Sequence, residues 1–252
     1  MSKVLLVEGV RKSFDNLHAL DGVSLAVEEK TLSILIGPNG SGKTTLINVI
    51  TGLYKPDEGR VLYNSADITG WPPYKVYTLG IARTFQIPSL FWKLTVLENL
   101  LVAEKENPGE LFSRSLFRRL WENSETQAVR KASRILELVG LSSLWNQQAY
   151  ALSGGQMKLL EIGRALMSDA KLILLDEPVS GVNPTLAHEI FAKLVKLKDE
   201  LGITFFIVEH RLDIALGYVN YVNAMAFGKL IASGPPENVL SDQRVIEAYL
   251  GA

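Results

Sequence analysis

Two short runs of residues carry chemistry that a bare scaffold does not need. The first is Gly37-Pro38-Asn39-Gly40-Ser41-Gly42-Lys43-Thr44, which matches G-x-x-x-x-G-K-[ST] at every position. Its glycines let successive backbone N–H groups turn inward as an anion nest. A helix starting at its end adds unpaired N–H groups and a positive dipole end. Lys43 then reaches toward β- and γ-phosphates, and the Thr44 hydroxyl is placed to ligate a divalent cation. The second run is Asp176-Glu177, closing the aliphatic stretch Leu172-Ile173-Leu174-Leu175. Neighbouring side chains on a strand point to opposite sides, so Asp176 can serve the cation while Glu177 faces an attacking water. Two acids at a strand end otherwise read as a helix cap. Beside a phosphate loop they read as a hydrolytic pair.

A third run, Leu152-Ser153-Gly154-Gly155-Gln156, has two compatible readings. Ser153 and Gln156 form an S-x-x-Q capping box opening an amphipathic helix with Met157, Leu160 and Leu166 on its apolar side. Yet adjacent glycines in a first turn are poor helix formers. They suit a backbone that another body must approach closely. A serine hydroxyl with exposed N–H groups is also an anion site.

The elements that would position these residues are legible from their periodicity. Leu32–Ile36 is an apolar run of strand length before the phosphate loop, and Thr45–Ile50 reads as helix after it. Val4–Val10, Ser24–Val27 and Gly59–Tyr63 are further short strands, and Ile81–Phe85 is another, ending at Gln86. From 87 to 168 the pattern is helical. Thr95-Val96-Leu97-Glu98 is a capping box opening a helix through Val102, and Ser124–Val139 is a second helix. After 170 strands and helices alternate, as in a parallel sheet. Ile203–Val208 is an apolar strand leading to Glu209-His210. Asn183-Pro184 is an N-cap and first-turn pair for a helix carrying Leu186, Ile190, Leu194, Leu197 and Leu201. The expected fold class is α/β: a P-loop NTPase core with a mainly parallel sheet, an antiparallel β subdomain and an inserted helical subdomain. The chain reads as a single domain over 1–252, with the core in 1–86 and 169–252 and the helical insertion in 87–168.

Composition narrows the function classes. The 252 residues are 47% hydrophobic and 21% charged, enough for a substantial core. A net charge of −1 gives no general basic surface for nucleic acid. Without cysteine there are no disulfides, which fits a reducing compartment. No stretch offers about 20 mainly apolar residues, and the uncharged run Leu138–Met157 is rich in Ser, Asn and Gln. A membrane role would therefore be borrowed from a partner. The aromatic run Ile87–Trp92 suits a groove for a partner helix, or packs on its own helices. Leu111–Trp121 is amphipathic and reads more readily as a surface helix than as a lipid contact.

In their order along the chain, the phosphate loop, Gln86, Leu-Ser-Gly-Gly-Gln, Leu-Leu-Asp-Glu-Pro and Glu209-His210 resemble the ATPase domain of ATP-binding cassette (ABC) transporters over essentially the whole sequence. The resemblance implies ATP and Mg²⁺ as cofactors and a head-to-tail pair of such domains. ATP on Asn39, Gly40, Ser41, Gly42, Lys43, Thr44 and Thr45 of one domain would be closed by Ser153, Gly154, Gly155 and Gln156 of the other. Gln86 would touch Mg²⁺ or water and sense the membrane partner, with Thr44 and Asp176 completing the metal site. Glu177, His210, Gln86 and Lys43 would be the catalytic set, His210 contacting the γ-phosphate. Phe14 would stack on adenine, although an ordinary buried Phe is the competing reading. Implied partners are a second ATPase subunit, identical or paralogous, transmembrane permease subunits, and a substrate-binding protein indirectly. Implied localisation is the cytoplasmic face of the membrane.

Two positions depart from the family pattern. Asn183 stands where an Asp usually couples the two sites, and Arg211 stands where an Asp commonly follows the histidine. Finer likeness comes from Gly80–Gln86, Leu94–Asn99, an enlarged segment near 104–126, Gly181–Pro184 and the tail Val245–Gly251. These are similar to the ATPase subunits of branched-chain amino acid importers. The rival readings are a non-transport ABC ATPase that remodels a soluble complex and a P-loop small-molecule kinase.

Overall fold

The computed structural model describes residues 2–85, 89–105 and 121–250. Gln86 and the Leu111–Trp121 stretch, apart from Trp121 itself, lie outside the described residues, as do Ile87 and Pro88.

An antiparallel sheet in the order β2-β1-β4-β5 is built from β1 (Lys3–Phe14), β2 (Leu17–Glu28), β4 (Glu58–Tyr63) and β5 (Ala66–Asp67). The β1/β2 hairpin runs well past the expected Val4–Val10 and Ser24–Val27. Register shifts interrupt it between Val7 and Val10, Val10 and Lys12, and Lys12 and Ser13. Each shift moves side chains between faces and erases the alternation that sequence reading needs, while backbone pairing continues.

The second sheet has the order β10-β9-β3-β8-β7-β6. It comprises β3 (Leu32–Ile36), β6 (Ile81–Arg83), β7 (Leu172–Asp176), β8 (Thr204–Val208), β9 (Tyr221–Ala226) and β10 (Lys229–Gly234). Its pairings are parallel except for β10 along the edge of β9. Every residue of β3, β7 and β8 is buried, as their unbroken apolar runs require of a sheet covered on both faces. Strand β6 stops at Arg83 instead of reaching Phe85: Thr84 N still donates to Leu174 O at 3.0 Å, and Phe85 is exposed. Parallel pairing brings the C-terminal ends of β3, β7 and β8 to one edge, the edge at which open α/β sheets hold ligands.

The helices are α1 (Lys43–Ile50), α2 (Pro73–Leu79), α3 (Val96–Leu101), α4 (Glu122–Val139), α5 (Gly154–Met167), α6 (Pro184–Leu201), α7 (Leu212–Ala215), α8 (Pro236–Leu240) and α9 (Gln243–Leu250). The capping box at Thr95 forms, with Glu98 Oε2 accepting from Thr95 N at 2.7 Å, and α3 ends at Leu101 with Val102 as its cap. Helix α4 starts at Glu122, with Glu122 and Glu125 favouring its positive end. One apolar cluster joins α3, α4 and α5 (Leu100, Ile135, Leu160) to one sheet face through Ile173 and Phe205. The other joins the β1/β2 hairpin and α1 (Val7, Val23, Leu46) to the opposite face through Leu174 and Phe206.

Candidate functional site

The phosphate loop connects β3 to α1. Gly42, its last glycine, has φ 99°, and a Cβ there would lie 2.5 Å from Ala19 O. Only glycine meets both demands. Helix α1 begins at the next residue, so its first N–H groups face the loop mouth. Lys43 Nζ donates to Gly37 O and Pro38 O, each at 2.8 Å, and approaches Ser41 Oγ at 3.4 Å. Burial pulls the Lys43 ammonium below its usual pKa, while Glu177 and Asp176 oppose that fall. Thr44, Asn39 and Gly40 are exposed, and Thr45 is half-buried.

Asp176 ends β7 and is buried. Its Oδ2 accepts from Arg83 Nη2 at 2.9 Å, a pair in which both side chains are about nine-tenths buried. Glu177, one residue on, has φ 49°, an uncommon conformation for a residue with a Cβ. It costs about 1–3 kcal/mol and persists only where surroundings enforce it. Here Glu177 N donates to Val208 O at 2.8 Å, and Glu177 O accepts from Ser180 N at 3.1 Å and from Lys158 Nζ at 3.4 Å. The resulting turn carries the Glu177 side chain across the end of β8, where its Oε1 lies 3.2 Å from His210 Nε2.

A cleft of about 530 Å³ gathers Phe14, Lys43, Thr44, Glu177 and His210 along its walls. Phe14 is partly exposed and packs edge-on against Tyr54 at 5.1 Å between ring centroids, so it is not an ordinary core Phe. None of Ser153 to Gln156 lines this cleft. Their capping box is present, Ser153 N donating to Gln156 Oε1 at 2.8 Å and Gln156 N to Ser153 Oγ at 3.4 Å. The two glycines differ. A Cβ on Gly155 would lie 2.0 Å from Leu186 Cδ2 of the same chain, so its smallness serves internal packing. A Cβ on Gly154 would meet nothing within 4 Å. Only Ser153 and Gly154 are exposed for another body to approach.

The model of the ABC transporter family matches residues 20–180. That of a branched-chain amino acid ATP-binding cassette transporter segment matches residues 229–252. A probable branched-chain amino acid transport ATP-binding protein of Methanocaldococcus jannaschii is 51% identical over 253 residues, covering 99% of this chain and 98% of that protein. The chain belongs to the ABC transporter family. It is an ABC ATPase. A crystal structure described as the ADP conformation of an ATP-binding cassette of an ABC transporter is 50% identical, with a TM-score of 0.87 and 100% of both chains covered. A dimeric bacterial ABC transporter cassette is 25% identical, with a TM-score of 0.75, over 92% of this chain and 98% of that one. Family membership sets aside the small-molecule kinase.

Some residues of this ABC cassette's site escape sequence reading. Arg83, the partner of Asp176, is only one member of the expected strand Ile81–Phe85. Lys158 and Glu161 sit on α5 with no motif to single them out, and both are buried. Glu161 Oε1 accepts from Ser89 N at 2.9 Å, and burial raises its carboxyl above the usual range. Both departures from the family pattern have local partners. Asn183 Oδ1 accepts from Leu186 N at 2.9 Å as the cap of α6, and Arg211 pairs with Asp213 at 3.2 Å. Gln86 lies outside the described residues; Arg83 and Ser89 on either side of it are both tied to buried carboxylates.

Proposed function

We propose that this chain is the ATP-hydrolysing subunit of a branched-chain amino acid importer. It would work as one of two cassettes, identical or paralogous, peripheral to the cytoplasmic face of a membrane through permease subunits and served indirectly by a substrate-binding protein. Among the described residues no helix is long and apolar enough to cross a membrane. The substrate class rests on the relatives' names, and no residue described here is assigned a contact with an amino acid.

The observation that carries the mechanism is the 3.2 Å approach of Glu177 Oε1 to His210 Nε2 in the cleft of Lys43 and Thr44. Glu177 polarises the attacking water. Lys43, His210 and the loop N–H groups stabilise charge on the transferring phosphoryl group. The Thr44 hydroxyl and the Asp176 carboxylate are hard oxygen donors, which fits Mg²⁺, with the Gln86 amide as a further ligand. Mg²⁺ would supply charge neutralisation at the phosphate oxygens. Phe14 offers adenine a ring at the cleft's edge. Ser153 to Gln156 lie off this cleft, which supports their use on the partner cassette's ATP. In this reading the 87–168 insertion, through its described helices α3, α4 and α5, carries them and meets the permease.

Glu177→Gln keeps the side chain's size and removes its basicity. We expect Mg-ATP binding near the parent's level and turnover at least about 100-fold lower. Parent-like turnover would refute the role of Glu177. Uptake of leucine, isoleucine and valine into vesicles holding the assembled transporter tests the cargo: uptake should stop with Lys43→Ala. Uptake that persists would break the link to this chain.

A further inference from the structure

Glu209 joins β8 to His210, and it is 1% exposed. Its Oε2 accepts from the N–H groups of His210 at 2.6 Å and Arg211 at 3.2 Å, and its Oε1 accepts from Val179 N at 3.2 Å. Val179 lies two residues beyond Glu177. One buried carboxylate therefore ties the loop after β7 to the loop after β8. Those loops carry the two ends of the Glu177–His210 contact. A carboxylate taken out of water is costly unless its lone pairs are filled. Three backbone donors engage both of its oxygens here, and such charge-assisted bonds are the strong ones. Glutamine cannot replace this arrangement: its one oxygen can serve one side, and its NH₂ would face a donor on the other. Lys158, buried on α5, feels the charges of Glu161, Glu177, Glu209 and Asp176 together, so the carboxylate has a cationic neighbour.

We propose that Glu209 is a positioning residue for ATP hydrolysis, setting the distance between Glu177 and His210 by bridging their loops. The inference rests on the reading that Glu177 and His210 act on the nucleotide. Neither the family match nor the relatives' names assign Glu209 a role. With the bridge weakened, the two side chains separate while the bonds that hold Lys43 in the phosphate loop, none of which involves the Glu209 side chain, stay in place. Binding and turnover should then part company, because a misplacement of about 1 Å costs turnover as much as about 100-fold.

The test uses the isolated chain with saturating Mg-ATP, at a protein concentration above which turnover no longer rises. Glu209→Gln should lower kcat about tenfold or more and leave ATP affinity within about threefold. In a His210→Ala background the same change should cost at least about fivefold less than in the parent, since the distance it sets has lost one end. Parent-like kcat in Glu209→Gln would overturn the inference, as would equal losses in both backgrounds. If Glu177→Gln leaves turnover intact, the catalytic reading falls. If Glu177→Gln stops turnover and Glu209→Gln does not, the positioning role alone falls. Should Glu209→Gln fail to fold, amide exchange in the parent decides. The N–H groups of Val179, His210 and Arg211 should be slowed together, about 100-fold or more relative to open amides. Unslowed exchange at Val179 would show that no bridge exists.

Discussion

At the scale of single residues, the site combines strain, burial and charge. The left-handed Glu177 is held in a costly conformation by two backbone hydrogen bonds and the Lys158 ammonium, and the product is a carboxylate delivered to His210. Lys43 is the cation that the phosphate loop holds in place. Lys43→Ala should weaken ATP binding about ten- to a hundredfold, the worth of a hydrogen bond to a charged group, as read by titration calorimetry. Glu161 gives a pH signature. Its folded-state pKa is raised by burial, with Lys158, Arg164 and the Ser89 N–H opposing the rise. Its contribution to stability is complete below the unfolded pKa and is lost as pH rises through the folded one. Glu161→Gln removes that loss. The melting temperature of the variant minus that of the parent should therefore increase from pH 4.5 to pH 7.5, and a flat or falling difference would contradict the assignment. Residues with a spacing signature, Lys43, Asp176, Ser153 and Asn183, were legible in the sequence. Arg83 and Glu161 were not, because their partners lie 93 and 72 residues away and no local period records such a contact.

At the scale of elements, the fully buried strands β3, β7 and β8 could be read directly, since strands covered on both faces leave unbroken apolar runs. The outer ends of β1 and β2 could not, because bulges and exposed polar residues mask the pairing. The glycine pair opening α5 separates packing from function. Gly155→Ala should destabilise the fold by about 1–3 kcal/mol through overpacking. Leu186 Cγ also lies 2.9 Å from the added methyl, so a turn about χ2 of Leu186, which leaves Cγ in place, does not clear the clash. Leu186→Ala should recover part of the loss. Gly154→Ala has open space around it and should leave thermal stability unchanged or slightly raised, since alanine is the better helix former. Its turnover should fall nonetheless, because in the proposed mechanism the added methyl stands where a partner cassette closes. Chemical denaturation and ATPase rates on the two variants check both statements. Asn183→Ala removes the cap of α6 and should cost about 1 kcal/mol, measured by the same denaturation.

At the scale of the whole molecule, parallel pairing brings the phosphate loop, Asp176-Glu177 and Glu209-His210 to one edge, while α5 begins away from their cleft. Ser153 and Gly154, exposed at the start of α5, do not line the cleft of their own chain. In the proposed mechanism, the Ser153 end of one cassette closes over the triphosphate held by the other, and loss of the γ-phosphate lets the two separate. The most direct measurement is the light-scattering mass of Glu177→Gln in Mg-ATP. The account predicts twice the single-chain mass, returning to the single-chain value when Ser153→Arg is added. A single-chain mass with ATP tightly bound, alongside parent turnover that does not depend on protein concentration, would contradict it.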